Sequence, residues 1–223
     1  MISSFVLKVI ACISMLFDHS GYIIFGKFSI FNYIGRIAFP IFAYQISEGY
    51  IHTSNLKKYF ARLGLFAIIS QIPYMIFIYI FSKNLLCLNI FFTLLIGLFA
   101  IYCYDKIPNK LLGIVSAIFL AIIADFLHTD YGAYGVAIIF LFYAFRNNKV
   151  LMSVSFIVAC IIKYSISILK QGYFETYGLL CICTCLPIIF ILLYNGKKGK
   201  DMKRFLYWFY PIHLLILDMI YLL

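Results

Sequence analysis

Charge is what this sequence has least of: only 12% of its 223 residues are charged, and acidic groups number just 8. Soluble chains carry roughly 25% charged residues. An ordinary water-soluble domain is therefore excluded, as are disorder, coiled coil and collagen, which need polar or periodic compositions absent here. A secretory cleavage site is also lacking. The apolar stretch 9–17 behind Lys8 runs into Asp18 and His19 where small residues would be needed, so it is expected to stay as a first helix. All seven cysteines fall in apolar stretches, where a thiol packs as a small hydrophobe. Of the clustered three, Cys181 and Cys185 share a helix face and Cys183 points away, too few ligands for a structural metal. Neither a disulfide framework nor a metal site is expected.

What is present is hydrophobic length. The chain is 65% hydrophobic with a mean hydropathy of +1.03, and the runs 63–82, 84–104 and 176–196 carry no charge. A bilayer span takes about 20 such residues. The chain reads as an all-α polytopic membrane bundle, one domain over 1–223. Nine spans are expected near 5–25, 31–50, 56–81, 86–104, 111–127, 133–145, 150–169, 176–194 and 205–222. The clearest breaks, 105–109, 146–149 and 195–200, join turn-forming residues to charge. With the N-terminus inside, thirteen of the 18 Lys and Arg fall on the inner side. Lys27, Lys83, Lys163 and Lys170 fall on the outer half, and Arg36 lies within a span. That bias puts the N-terminus inside and the C-terminus outside a cell membrane. It explains the +10 formal charge as topology, so nucleic acid is not expected as a partner.

An ionisable group at mid-bilayer costs on the order of 3 kcal/mol, so each needs a partner or a task. Asp18 lies about nine residues before the first hairpin turn and Arg36 about nine after it, so on antiparallel helices both reach roughly 13 Å deep and can pair. Lys8, Cys12, Met15 and His19 form one helical stripe that can hold the two ends of an elongated anionic ligand. His19 suits a general base. A structural ion pair and a carbonyl-bonded core histidine are the plain alternatives. Arg36, Pro40, Ala43 and Ser47 share a face whose small residues leave room for a neighbour or a ligand. Asp125, His128 and Asp130 cluster at an outer turn ahead of Tyr131. Asp125, Asp130 and Tyr131 are candidates to bind a cationic or amine-bearing acceptor, with a hydrated turn as the alternative. His213, nine residues after Arg204, reaches roughly the depth of His19.

The stretches Met15-Leu16-Phe17-Asp18-His19-Ser20-Gly21-Tyr22, Gly35-Arg36-Ile37-Ala38-Phe39-Pro40, Asp130-Tyr131-Gly132-Ala133-Tyr134-Gly135 and Tyr210-Pro211-Ile212-His213 resemble the TraX family of membrane acetyltransferases, named for the enzyme that acetylates the N-terminus of F pilin. More distantly, the chain is similar to other transmembrane acyltransferases that pass an acetyl group across the bilayer with a membrane histidine. The resemblance implies acetyl-CoA as donor and an acceptor at or beyond the outer leaflet, a peptide N-terminus, a glycan or a small molecule.

On that reading Lys8, Lys57, Lys58 and Arg62 meet the CoA phosphates at the inner surface, and the pantetheine arm runs up between the first two spans. His19 deprotonates the acceptor, Asp18 and Arg36 hold the charge balance, and Arg36 or His213 stabilises the thioester oxyanion. Direct transfer and an acetyl-histidine intermediate both remain open. So do two other classes. One is a proton-coupled small-molecule transporter with Asp18, His19, Asp125 and His213 as relay, against which the lack of internal repeats weighs. The other is a non-enzymatic assembly protein.

Overall fold

A computed structural model describes residues 1–25, 29–82 and 86–222. The expected outer cations Lys27 and Lys83 lie outside the described residues. Twelve helices follow one another among the described residues: α1 (Ser4–Phe25), α2 (Ile30–Gly35), α3 (Ala38–His52), α4 (Leu56–Ile69), α5 (Gln71–Ser82), α6 (Ile90–Lys106), α7 (Lys110–Phe126), α8 (Gly132–Ala144), α9 (Lys149–Gln171), α10 (Phe174–Cys185), α11 (Pro187–Leu192) and α12 (Lys203–Leu222). No strand occurs among the described residues, only isolated bridges between Ile2 and Tyr194 and between Leu88 and Thr129.

Three stretches expected as continuous spans are each divided in two, and proline is the reason. A proline ring lacks the N–H and collides with the carbonyl four residues back. Pro40 acts on Arg36, where α2 gives way to α3, and Pro73 acts on Ile69, the last residue of α4. Pro187 opens α11. Each proline thus occupies the first turn of a new helix, where its missing N–H costs nothing. Among the described residues four helical rods are long and apolar enough to cross a bilayer, namely α1, α9, the run Phe174–Leu192 and α12; α4 with α5, bent by 43°, makes a fifth.

Asparagine starts several of the others. The side chains of Asn55, Asn89, Asn109 and Asn148 accept backbone N–H groups in the first turns of α4, α6, α7 and α9. The core lies where α3, α6 and α8 meet, around Leu98, Ile101, Ile138, Ile139 and Phe142. α8 is short but enclosed by α3, α6, α7 and α9. Gly97 of α6 lets it come close, because a Cβ there would strike Ile139. The outer surface is apolar: Leu111, Val115, Ile118 and Ile122 of α7 and Val154, Val158, Ile161 and Leu169 of α9 all face outward. Lipid is as apolar as these side chains, so close packing and polar contacts, rather than exclusion of water, hold such a bundle together.

The connections gather at two ends. Ile2 N–H donates to the Leu193 carbonyl at 2.9 Å and Ser4 N–H to the Lys197 carbonyl at 2.9 Å, which seats the N-terminus on the α11–α12 connection. Tyr50 and Tyr143 both donate to Asp105, at 2.8 and 3.0 Å, tying together the ends of α3, α6 and α8. This end is rich in lysine. At the other end the Leu88–Thr129 bridge joins the α5–α6 and α7–α8 connections.

Candidate functional site

The break at Pro40 places Arg36 in a tight turn against α1. Its Nη2 donates to both Asp18 oxygens, at 2.5 and 2.6 Å, and its Nε to the Asn32 carbonyl at 3.2 Å. Asn32 Nδ2 reaches the Asp18 carbonyl and Oδ1 at 3.0 and 3.3 Å. The approach requires glycine at position 35, since any Cβ there would collide with the Asp18 carboxylate. Matching helix depths did bring Asp18 and Arg36 together.

His19, one residue on, touches α12. Its Nδ1 lies 2.7 Å from His213 Nε2, and His213 Nδ1 lies 2.7 Å from the Phe209 carbonyl. A carbonyl only accepts, so in the neutral pair His213 carries its proton on Nδ1 and its Nε2 accepts from His19 Nδ1–H. His19 Nε2 is left with a free lone pair. His213 therefore stands behind His19 as its orienting partner. With its Nε2 accepting and its side chain lining neither cavity, it does not fit the oxyanion-donor role expected of it.

His19 lines a cavity of about 270 Å³, together with Asp18, Arg36, Asp130, Tyr131 and Lys163. Tyr131 stacks on Phe39 with 3.7 Å between ring centroids. Asp130 is hydrogen-bonded to Tyr74. Lys163 rests its ammonium on π faces, 4.1 Å from the Tyr134 centroid, 5.0 Å from Tyr131 and 5.3 Å from Tyr164. Such contacts stabilise a desolvated cation. Asp125 stands apart: its Oδ1 accepts the Ala133 N–H at 2.6 Å, fastening the start of α8, and it lines neither cavity. The expected acidic cluster is thus split between a structural cap and the cavity wall.

A second cavity, of about 400 Å³, opens at the lysine-rich end between α1, α3, α4, α6 and α12. Lys8, Arg62, Lys198 and Lys203 line it, with Glu48 and His52. Met15, Phe42, Ile90 and Tyr210 line both cavities, so the two adjoin and together lead from a basic mouth to His19. The path is broader than a cleft between the first two expected spans. Lys57 and Lys58 are exposed and line neither cavity, because Tyr59, Leu63 and Phe66 form the buried face of α4. Lys198 bonds Asp201 at 2.9 Å, and Asp201 also accepts the Lys203 N–H at 2.9 Å. The Lys198 ammonium and that backbone N–H pull the Asp201 carboxyl down to about 2.

Several of these residues escaped sequence reasoning. Lys163, expected as one of the outer cations, lines the His19 cavity against Tyr131, Tyr134 and Tyr164; only Tyr164 adjoins it in sequence, and the folding of α8 against α9 supplies the other two. In the sequence Lys198 and Lys203 speak only to topology, Tyr210 enters as part of the Tyr210–His213 stretch without a role of its own, and nothing there points to Gln45.

A model of the TraX protein family matches residues 3–221 of the chain. The chain is 27% identical over 236 residues, 96% of its own length and 94% of the relative's, to a Dichelobacter nodosus protein named probable fimbrial assembly protein FimC, serogroup H1. It is 26% identical over 239 residues, 97% of its own length and 91% of the relative's, to the uncharacterized protein RP591 of Rickettsia prowazekii (strain Madrid E). No solved structure matches it.

Proposed function

The chain belongs to the TraX family, and from that premise we propose that it is a cell-membrane acetyltransferase moving an acetyl group from acetyl-CoA to an amine or hydroxyl acceptor. One observation carries the reading: of two adjoining cavities, one has a mouth lined by Lys8, Arg62, Lys198 and Lys203 and the other is lined by His19, whose Nε2 makes no bond to His213. Cations at an opening suit phosphates, and a buried imidazole with one nitrogen oriented by a partner suits a general base. Along α1, Lys8 and His19 are about 16 Å apart at 1.5 Å per residue, a span for an elongated donor rather than a compact one.

Acetyl-CoA supplies an activated acyl group as a thioester. Lys8, Lys198, Lys203 and the terminal nitrogens of Arg62 bind its phosphates. His19 Nε2 takes the proton of the acceptor N–H or O–H as that atom bonds to the acetyl carbon. The C–S bond breaks, and the imidazolium returns the proton to the sulfur, leaving acetylated acceptor and free CoA thiol. Asp18 holds Arg36, so the cavity keeps a fixed cation beside a paired carboxylate. Asp130 and Tyr131 lie on the wall of the His19 cavity and receive the acceptor. The fimbrial name of the Dichelobacter relative makes the N-terminus of a fibre subunit the first acceptor to try.

In this reading the chain crosses the membrane nine times, N-terminus inside and C-terminus outside, with α4–α5 and the other short helices completing crossings. The basic mouth then faces the cytosol. Reporters near Lys198 and after the last helix are expected inside and outside respectively, and the reverse pattern overturns the sidedness. The activity is tested by calorimetry with acetyl-CoA on the purified protein, followed by release of CoA thiol in the presence of a peptide N-terminus. Saturable binding with thiol release supports the reading; no binding overturns it.

A further inference from the structure

Buried hydrogen-bond donors without acceptors destabilise a folded chain, so several in one cavity ask for an occupant that supplies acceptors. Three partnerless groups belong to side chains lining the path to His19: Gln45 Nε2, Arg62 Nε and the Tyr210 hydroxyl. The other such groups, on Ser70, Thr129 and Asp218, line neither cavity. Ser4 Oγ donates to Gln45 Oε1 at 2.8 Å, so the amide oxygen is held and the NH₂ is the end left over. Tyr210 is 3% exposed, lines both cavities, and sets its ring centroid 6.2 Å from that of His19. The backbone group facing its oxygen is the Ile90 N–H, itself a donor, so the hydroxyl proton has no acceptor.

An acylated pantetheine arm has three carbonyl oxygens in a row, two amides and the thioester. We propose that Gln45 and Arg62 hold the two amide carbonyls and that Tyr210 donates to the thioester carbonyl oxygen, and to the oxyanion it becomes when the acceptor adds. The proposal rests on the acetyltransferase reading and assigns that reaction its oxyanion donor and the residues that read its donor arm. Tyr210 keeps its proton throughout: the acceptor's proton goes to His19 and then to the leaving sulfur, while the negative charge on oxygen collapses back as the C–S bond breaks. A positioned donor of this kind is worth about 10²–10³-fold in rate.

The test uses the full chain in lipid nanodiscs with two donors, acetyl-CoA and S-ethyl thioacetate, which has the thioester carbonyl and neither amide. Gln45→Leu is expected to raise KM for acetyl-CoA about tenfold, the worth of one lost hydrogen bond, and to leave transfer from S-ethyl thioacetate within about twofold. Tyr210→Phe is expected to lower kcat about 10²–10³-fold with both donors, with KM for acetyl-CoA and thermal stability near those of the wild type. An equal loss with both donors for Gln45→Leu, or no loss, overturns the arm assignment. Transfer at the wild-type rate by Tyr210→Phe overturns the oxyanion role. A wild-type chain that transfers from neither donor overturns the acetyltransferase reading itself, a result distinct from either.

Discussion

Two buried polar clusters of this bundle differ in what they leave unsatisfied. At the break between α4 and α5, fully buried Asn89 donates to the Ala67 carbonyl at 2.7 Å and to Gln71 Oε1 at 2.8 Å, while its own Oδ1 accepts the Phe91 N–H at 2.9 Å. Gln71 Nε2 in turn donates to the Cys87 carbonyl at 2.9 Å. Those two amides pair with each other and with backbone at the break and at the α5–α6 connection, and the Ser70 hydroxyl between α4 and α5, which lines neither cavity, is left without a partner. Around His19 the pattern is different: the lone pair of His19 Nε2 and the Tyr210 hydroxyl proton have no partner among the described residues. The difference lies in where the open groups sit: at the first cluster away from either cavity, at the second on residues that line one, where a molecule from outside the chain can meet them.

Swapping the readouts of the two clusters would break this comparison. The largest effect is expected at His19, where His19→Ala should slow single-turnover acetyl transfer roughly 10²–10⁴-fold while donor affinity and melting temperature hold. A fall in stability with no selective loss of the chemical step would make His19 a core residue like Asn89. Next comes the ion pair. Asp18→Asn leaves Arg36 buried without its counter-charge and should cost roughly 3–5 kcal/mol in denaturation. Asp18→Asn with Arg36→Gln should recover part of that loss, and no recovery would mean the pair is not what the single variant broke. Asn89→Ala should cost about 1–3 kcal/mol of stability, with the rate per folded molecule unchanged. A rate loss at full stability would place that knot in the chemistry. The smallest effect is at the rim: Lys8→Ala with Lys203→Ala should weaken acetyl-CoA binding about fivefold at low salt and less at high salt, since exposed charge pairs are weak and screened. Lys57→Ala with Lys58→Ala should stay within about twofold, and the opposite ranking in calorimetry would move the nucleotide to the outer face of α4.

Depth was legible in the sequence and direction was not. Counting residues from the hairpin turn set Asp18 against Arg36, because helical rise is nearly constant. The same count put His19 and His213 at one level without saying that they touch, which depends on how α1 and α12 are rotated against each other. Lys57, Lys58 and Arg62 looked equivalent as a basic cluster. Lys57 points away from the inward Tyr59, Leu63 and Phe66 face, while Lys58 and Arg62 share a side of α4 and differ in depth, Lys58 in its first turn and Arg62 a turn further in, beside the cavity. Hydropathy hides the breaks at Pro40 and Pro73, because it runs through them without interruption, although the proline rule marks both. Asp125 and Asp130 looked alike as turn carboxylates, yet one caps a helix and the other lines a cavity.

The hydrogen bond between His19 and His213 joins residues 194 positions apart. At a synthesis rate of about 5–20 residues per second, some 10–40 s pass between the appearance of the first ring and that of the second. The N-terminal strip that seats on Leu193 and Lys197 waits almost as long for its partner. A nascent or truncated chain therefore displays His19 with neither its orienting ring nor the finished mouth beside it. Under the proposed chemistry such a fragment carries a base that nothing orients, so premature transfer to water is disfavoured until α12 has packed against α1.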